Sequence, residues 1–386
     1  MRRCSTFLVL GAAAAVTALS DVVPSEAASS PVATFSNRLV FKPPSNYTSP
    51  RVLYARTVEL SDGSLLATWE NYSPEPPAVY FPVYRSTDNG STWAEVSRVT
   101  DQTPTAWGLR YQPFLYELPA DVGTFKEGTV LCAGNSIPTD LSRTQIDVYA
   151  STDKGLTWMF VSHVAAGGKA RPDNGQTPVW EPFLLYYNGS IIIYYSDQRD
   201  PKHGQKLVHQ TSSDLLTWDP AVDDVAVADY KARPGMTTVA ALPNGQYIMT
   251  YEYGNAPGGG FPVYYRLATD PRAFAAAPAF QLVTGNTRPT SSPYVTWTLF
   301  GGGGGSNGTI LVSANSHAQL FSNSALGDAA KWTQHSVPQP AAYTRHLRVL
   351  RNDPTRLLIM GAGHLPPGTT NTVSLSVVDL EQVLGV

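Results

Sequence analysis

The sequence predicts an all-β chain folded as a six-bladed β-propeller, and three observations lead to that prediction. The pattern S-T-D-x-G-x-T-W occurs at residues 86–93 and again at residues 151–158. Glycines recur in turns between two apolar runs, at positions 63, 128, 189, 245 and 308. Tyrosine, tryptophan, glycine and proline are frequent, and almost no stretch has the period of an amphipathic helix. A unit of about 60 residues that repeats in this way is typical of a propeller.

The first predicted blade shows how the strands follow one another. Its four strands are separated by a turn and by the octapeptide, and cover residues 56–60, 65–71, 79–87 and 94–100. Asn-Gly between apolar runs is a strong hairpin signal. The first hairpin recurs in five further pairs, at 114–118 with 129–135, 183–187 with 190–196, 237–242 with 246–252, 294–300 with 309–315, and 347–350 with 356–361.

The sixth blade must borrow a strand from the start of the domain. Residues 372–378 supply its third strand, and no octapeptide follows them. We predict that the segment 36–42 pairs with this blade and closes the ring, so that residues 29–386 form one domain.

Residues 1–28 are interpreted as a secretory signal peptide. Two arginines precede an apolar run from Phe7 to Leu19, which is too short to span a bilayer. Cleavage could also follow Ser20. We therefore expect a secreted, extracellular protein, and the chain carries N-x-S/T glycosylation sequons at Asn46, Asn71, Asn89, Asn188 and Asn307.

The octapeptide is interpreted as a structural turn. An aspartate accepts hydrogen bonds from backbone N–H groups just after it, glycine supplies a positive φ, and the tryptophan anchors the turn in the core. Because strand direction alternates within a blade, the octapeptides and the Asn-Gly turns lie at one end of the strands. The chemistry is expected at the other end, where first strands start and second strands end.

Polar residues recur at that other end. First strands start at Arg56, Gln112, Glu181, Met236 and Arg345, and second strands end at Glu70, Asn135, Ser196, Glu252 and Asn315. Glu181 and Glu252 belong to adjacent blades, so their carboxyls could flank one glycosidic bond. The alternative is that they are rim carboxylates in ion pairs with Arg56, Arg199 or Arg345. Glu70 is a third candidate, with a structural or substrate-orienting role.

Composition excludes several other classes. A net charge of -3 with scattered signs argues against a nucleic acid or an anionic membrane as partner. The histidines lack metal-ligand spacing, and the chain has no P-loop and no dinucleotide-binding motif, so we expect no metal and no cofactor. Cys132 has no cysteine partner in the mature chain and is interpreted as a buried strand thiol. We expect a monomer.

The octapeptides resemble the Asp boxes of sialidases and related six-bladed propellers. The segments 109–114, 179–183 and 251–254 (LRYQPF, VWEPF and YEYG) resemble glycoside hydrolase family 93. The resemblance covers essentially the whole mature chain. It implies a secreted exo-arabinanase that acts on linear α-1,5-L-arabinan from the non-reducing end and releases arabinobiose with retention. It also implies that Glu181 is the acid/base, Glu252 the nucleophile, and Tyr343 a hydrogen-bond donor to the nucleophile.

Further residues are predicted to bind the substrate. Candidates for stacking on a sugar are Trp107, Tyr111, Trp180 and Tyr253. Candidates for polar contacts are Arg56, Gln112, Arg171, Asp197, Arg199 and Asn315. Loops long enough to wall the cleft run over residues 71–79, 101–111, 164–180 and 255–261.

Two other functions stay open at this point. A sialidase would need three arginines converging on the substrate carboxylate and a tyrosine nucleophile, which Arg56, Arg345 and Tyr343 could partly imitate. A non-catalytic propeller could bind glycans through the same face.

Overall fold

The computed structural model describes Met1 and residues 31–301, 307–367 and 370–386. Contacts within the chain define two units, residues 1–31 and residues 32–386, and the second unit carries every strand described below. The predicted signal peptide, apart from Met1, lies outside the described residues. No helix in the described ranges is long and apolar enough to cross a membrane.

The described strands form six antiparallel four-stranded sheets, and the fold is the predicted six-bladed propeller. Blade 1 consists of β2 (Val52–Glu59), β3 (Leu65–Asn71), β4 (Phe81–Ser86) and β5 (Ala94–Val99). Blade 2 consists of β6 (Leu109–Glu117), β7 (Val130–Ser136), β8 (Thr144–Ser151) and β9 (Met159–Gly167). Blade 3 consists of β10 (Val179–Tyr187), β11 (Ser190–Asp197), β12 (Lys206–Ser212) and β13 (Val222–Val225).

The remaining blades follow the same order. Blade 4 consists of β14 (Arg233–Ala241), β15 (Tyr247–Gly254), β16 (Val263–Ala268) and β17 (Phe280–Gln281). Blade 5 consists of β18 (Tyr294–Thr298), β19 (Thr309–Ala314), β20 (His317–Asn323) and β21 (Thr333–His335). Blade 6 consists of β22 (His346–Leu350), β23 (Asp353–Gly361), β24 (Val373–Asp379) and β1 (Phe35–Phe41). A short helix, Leu380–Leu384, follows β24.

Blade 6 is closed by the N-terminal strand, as predicted. β1 pairs antiparallel with β24, and the register runs from Phe35 opposite Val377 to Phe41 opposite Val373. The ring of sheets is thereby joined between two segments more than 300 residues apart in sequence.

The two octapeptides are tight turns that also link neighbouring blades. In the second, Asp153 accepts hydrogen bonds from the backbone N–H groups of Leu156 (3.1 Å) and Thr157 (2.9 Å). The indole N–H of Trp158 donates to the hydroxyl of Ser97, on the outer strand of the preceding blade, at 3.0 Å. Gly155 has a φ of 85°, and a Cβ there would lie 2.7 Å from Leu66, so glycine is required.

Replacing Asp153 by alanine should therefore destabilise the protein without changing its kinetics. The substitution leaves two backbone N–H groups and the hydroxyls of Ser151 and Thr157 without their acceptor, a loss of roughly 1–3 kcal/mol. Ser151 pairs with Val130 at the start of β7, whereas the polar residues of the predicted site lie at the far end of the second strands. Chemical denaturation should show the loss, and kcat and KM should match those of the wild type. A lower kcat would contradict the structural role.

First strands start earlier than predicted because most contain a β-bulge. The register shifts in β2, β6, β10 and β14, and a residue inside each bulge has a positive φ. These residues are Tyr54 (57°), Gln112 (61°), Glu181 (64°) and Met236 (59°). In blades 5 and 6, Ser292 (44°) and Thr344 (58°) lie just before the first strand. A positive φ costs a non-glycine residue about 1–2 kcal/mol, and bulges of this kind are common next to active sites.

Candidate active site

A cavity of about 540 Å³ lies where the first strands begin and the second strands end. Its lining includes the predicted site residues Glu70, Tyr111, Gln112, Trp180, Glu181, Glu252 and Tyr343. The octapeptide turns lie at the opposite end of the strands, since Ser86 pairs with Leu65 and Ser151 with Val130, each at the start of a second strand. The structure thus confirms that these residues share one end of the propeller, as the alternation of strand direction predicted.

Glu181 occupies the bulge of β10 and is held from two sides. Its Oε2 accepts a hydrogen bond from the hydroxyl of Ser196, on the neighbouring strand, at 2.7 Å. The same oxygen accepts the backbone N–H of Met236, in the bulge of blade 4, also at 2.7 Å. Burial raises the pKa of this carboxyl, and the two hydrogen bonds act in the opposite direction. One carboxylate oxygen is fixed by the protein.

Glu252 is held in the same manner on β15. It pairs with Gly235 across the sheet, and its Oε2 accepts the backbone N–H of Ser292 at 2.7 Å. Burial, and then repulsion from Glu181, raise the pKa of Glu252 to about 7. Two carboxyls that repel each other in a buried site tend to retain one proton between them near neutral pH.

Glu70 is a third buried carboxyl in the cavity. Its Oε1 accepts the backbone N–H of Gln112 at 3.0 Å, and its Oε2 accepts the hydroxyl of Tyr72 at 2.6 Å. Burial raises the pKa of Glu70 to about 7. The three carboxylates share one device: each accepts the N–H of a positive-φ residue from the next blade. The donors are Gln112 for Glu70, Met236 for Glu181 and Ser292 for Glu252.

Tyr343 lies in the cavity, in the segment that leads into β22. Burial, followed by the charges of Glu181 and Glu252, raises its pKa well above the usual range, so the phenol keeps its proton. Its hydroxyl lies 3.5 Å from the sulfur of Met236. The hydrogen bonds of the described residues include none from Tyr343 to Glu252, so the contact implied by the resemblance is not formed here.

Arg233 was not foreseen from the sequence. It lines the cavity and donates to Gln205 at 3.1 Å, while its Nε is buried without a hydrogen-bond partner. Burial lowers its pKa, and the negative charges of Glu181 and Glu252 oppose that shift. No ion pair joins Glu181 or Glu252 to a basic side chain in the described ranges, so these carboxylates are not rim ion-pair partners.

The arginines proposed as ion-pair partners bond elsewhere. Arg56 is 3% exposed, lies with its guanidinium 4.2 Å from the ring centre of Tyr54, and donates to the carbonyl of Thr344. Arg345 is fully buried and donates to three carbonyl groups, those of Ala318, Gln319 and Gln339. Among the described residues that line the cavity, Arg233 is the only arginine. The three-arginine cluster of a sialidase is therefore not assembled.

Several predicted substrate contacts lie outside this cavity. Trp107 and Arg199 line a separate cavity of about 500 Å³, where Arg199 pairs with Asp197 at 2.7 Å. Arg171 lines a third, of about 440 Å³. The ring of Tyr253 packs on that of Tyr264, 5.4 Å between centres, and Asn315 is hydrogen-bonded through its backbone N–H to Ser291. Arg56 lies buried, as described above.

The cavity walls come from more segments than predicted. The loops 71–79, 101–111, 164–180 and 255–261 each contribute, the last of them through Phe261. Two other segments also contribute, at residues 49–50 and 365–366. Ser291 and Gln205 were missed as well. Ser291 directly precedes a residue in a bulge-like conformation, and an extra residue of this kind leaves no trace in the alternation of apolar residues.

Close relatives of the chain are found among solved structures. No protein-family model matches the chain, and a search of curated proteins found no match either. The α-L-arabinofuranosidase Arb93A from Fusarium graminearum, in complex with an iminosugar inhibitor, is 58% identical, with a TM-score of 0.89 over 91% of this chain and 99% of that chain. The GH93 α-L-arabinofuranosidase of Fusarium graminearum with arabinobiose gives the same values.

Two further structures mark the range of the similarity. The α-L-arabinanase of Penicillium chrysogenum, complexed with arabinobiose, is 56% identical, with a TM-score of 0.88 over 91% of this chain and 100% of that chain. The NanB sialidase from Streptococcus pneumoniae is 10% identical, with a TM-score of 0.60 over 90% of this chain and 71% of that chain. The sialidase therefore shares the fold alone.

Proposed function

Since this chain belongs to glycoside hydrolase family 93, we propose that it is an exo-arabinanase that cleaves linear α-1,5-L-arabinan from the non-reducing end and releases arabinobiose. The observation that carries the proposal is the half-buried pair of Glu181 and Glu252 in one cavity, each with one oxygen fixed by a backbone N–H group. The two relatives bound to arabinobiose support the choice of substrate. A cavity of about 540 Å³ is of the size that holds a small ligand.

The proposed reaction proceeds with retention in two steps. Glu181 donates its proton to the leaving O5 as the glycosidic bond breaks, and a carboxylate oxygen of Glu252 forms a bond to the anomeric carbon. Glu181, now ionised, then takes a proton from a water molecule, which attacks the anomeric carbon and frees Glu252. The pKa values of both carboxyls are raised, which supports one proton shared by the pair near neutral pH. Which residue is acid and which is nucleophile follows from the family resemblance.

The other residues of the cavity would orient the sugar. Tyr111 and Trp180 present aromatic rings, which suit the C–H faces of a sugar. Gln112 and Arg233 offer polar groups to its hydroxyls, and the unpartnered Nε of Arg233 needs an acceptor. Trp107, Arg171, Asp197, Arg199, Tyr253 and Asn315 could contact only a longer chain that leaves the cavity.

We also propose that the protein is exported and monomeric. The apolar run after the N-terminal arginines supports export. The closed ring of sheets supports a monomer, because closure leaves no long unpaired strand edge that would need a partner chain.

The products from debranched arabinan test the proposed function. Arabinobiose should be the only early product, and reduction of the substrate's reducing end with borohydride should not change the rate, because the enzyme starts from the other end. Proton NMR during the first turnovers should show the α-anomer of the released disaccharide. A ladder of oligosaccharides would exclude exo action, and initial release of the β-anomer would exclude retention.

A further inference from the structure

Ser292 connects two residues of the proposed catalytic machinery. Its backbone N–H donates to Oε2 of Glu252 at 2.7 Å. Its hydroxyl oxygen accepts the backbone N–H of Thr344, the residue after Tyr343, at 3.1 Å. The Ser292 side chain is fully buried, and both bonds cross from one blade to the next. One residue thus holds Glu252 with its main chain and the Tyr343–Thr344 segment with its side chain.

We propose that Ser292 is a positioning residue that fixes Tyr343 relative to Glu252. The inference rests on the proposed function, in which Glu252 attacks the anomeric carbon. It goes beyond that function because no substrate contact of Ser292 is involved. Ser292 acts on the reaction only through the two residues it joins.

The Tyr343–Thr344 segment has few other supports. The N–H of Tyr343 donates to the carbonyl of Gly363 at 2.8 Å, and the carbonyl of Thr344 accepts the guanidinium of Arg56 at 2.8 Å. Within the described residues, the Tyr343 hydroxyl has one weak partner, the Met236 sulfur, and the ring packs against that of Tyr54 with 6.3 Å between centres. The Thr344 N–H, which lies one peptide from the Tyr343 side chain, depends on the Ser292 hydroxyl.

The backbone conformation at Ser291 and Ser292 allows the role of the Ser292 hydroxyl to be tested separately from that of the Ser292 N–H. Ser291 and Ser292 both have positive φ, at 67° and 44°, a conformation that glycine adopts at no cost and other residues at about 1–2 kcal/mol. A glycine at position 292 would keep the N–H that holds Glu252 and would relieve the strain. Only the hydroxyl that holds Thr344 would be lost.

Two substitutions separate the hydroxyl from the backbone. Ser292→Gly and Ser292→Ala both remove the acceptor for the Thr344 N–H, but alanine keeps the strained φ and glycine relieves it. Both variants should lose about 10- to 100-fold in kcat on linear arabino-oligosaccharides, since a displacement near 1 Å can cost about 10²-fold. KM should change less than threefold. Thermal stability should differ between the two, with Ser292→Gly the more stable.

Thr298→Val is the matched control. Thr298 is also a buried residue of blade 5, and its hydroxyl donates to the carbonyl of Pro354 in blade 6 at 3.3 Å. The substitution therefore removes a side-chain hydrogen bond between the same two blades, at the end of β18 opposite to Ser292. This variant should lose stability and keep the wild-type kcat.

A double-mutant cycle with Tyr343→Phe tests the route of the effect. If Ser292 acts through Tyr343, Ser292→Gly should cost little further kcat once the Tyr343 hydroxyl is gone. Full additivity of the two losses, or wild-type kcat in Ser292→Gly, would overturn the positioning role. Failure of the proposed function gives a different result, because the wild type would then not release arabinobiose, or Glu252→Gln would remain active.

Discussion

Glu252→Gln and Glu181→Gln should each lower kcat on linear arabino-oligosaccharides by about 10³-fold or more. Glutamine has nearly the shape of glutamate, and its carbonyl oxygen can still accept the bulge N–H, from Ser292 or from Met236. It can neither donate the proton to O5 nor form the glycosyl–enzyme bond. The loss should therefore fall on turnover, with binding of arabinobiose retained in calorimetry.

A substrate with a good leaving group separates the two roles. An aryl α-L-arabinobioside needs little protonation, so Glu181→Gln should form the covalent intermediate at nearly the wild-type rate and accumulate it. Glu252→Gln should be inactive on both substrates. Glu59→Gln is the control, because Glu59 is also a glutamate shielded from solvent but lies at the opposite end of β2. Wild-type turnover in Glu252→Gln would refute the proposed nucleophile. If Glu252→Gln accumulated the intermediate and Glu181→Gln were inactive, Glu181 would be the nucleophile and Glu252 the acid/base.

Glu70→Gln should raise the free energy of unfolding, relative to the wild type, by about 3 kcal/mol more above neutral pH than at pH 4. Burial raises the folded-state pKa of Glu70 from 4.5 to about 7. Below pH 4.5 the carboxyl is protonated in both the folded and the unfolded state and contributes no pH dependence. Between pH 4.5 and 7 the unfolded state loses its proton first, so the wild type loses stability as the pH rises. Above about pH 7 the carboxyl is ionised in both states, and the wild type has lost all of the stability that depends on this proton.

The glutamine side chain can satisfy the same neighbours as Glu70. Its carbonyl can accept the N–H of Gln112, and its amide can donate to the hydroxyl oxygen of Tyr72. Urea denaturation at pH 4 and at pH 8 measures the difference between wild type and variant. Glu127→Gln, which changes an exposed carboxyl, should show no such pH dependence. Equal stability changes at the two pH values would show that Glu70 is not held as a neutral acid.

The repeat made the fold predictable. Asn-Gly turns and octapeptides act over a few residues, so their positions fixed the hairpins and the number of blades. The alternation of strand direction then placed Glu70, Glu181 and Glu252 at one end of the propeller, and Tyr343 joined them. These inferences required only the order of elements along the chain.

What the sequence could not provide depends on contacts between blades. The positive φ of a residue such as Ser292 has no signature in the pattern of apolar residues, so the donors to the carboxylates were not foreseen. Arg56 illustrates the same limit. Its position at the start of a first strand is polar in sequence, yet the rings of Tyr54 and Tyr294 and the carbonyl of Thr344 enclose its guanidinium below the cavity. Side-chain direction at such positions is decided by packing.

The pairing of β1 with β24 also determines when the molecule can be completed during synthesis. β1 is the first described strand of the propeller to leave the ribosome, and its partner β24 is the last. Blades 1 to 5 can form in turn as they emerge, but the ring closes only when β24 has also emerged. A truncation before β24 would leave β1 without a partner and blade 6 with two strands. Closure of the ring is thus the last step in the assembly of the propeller during synthesis.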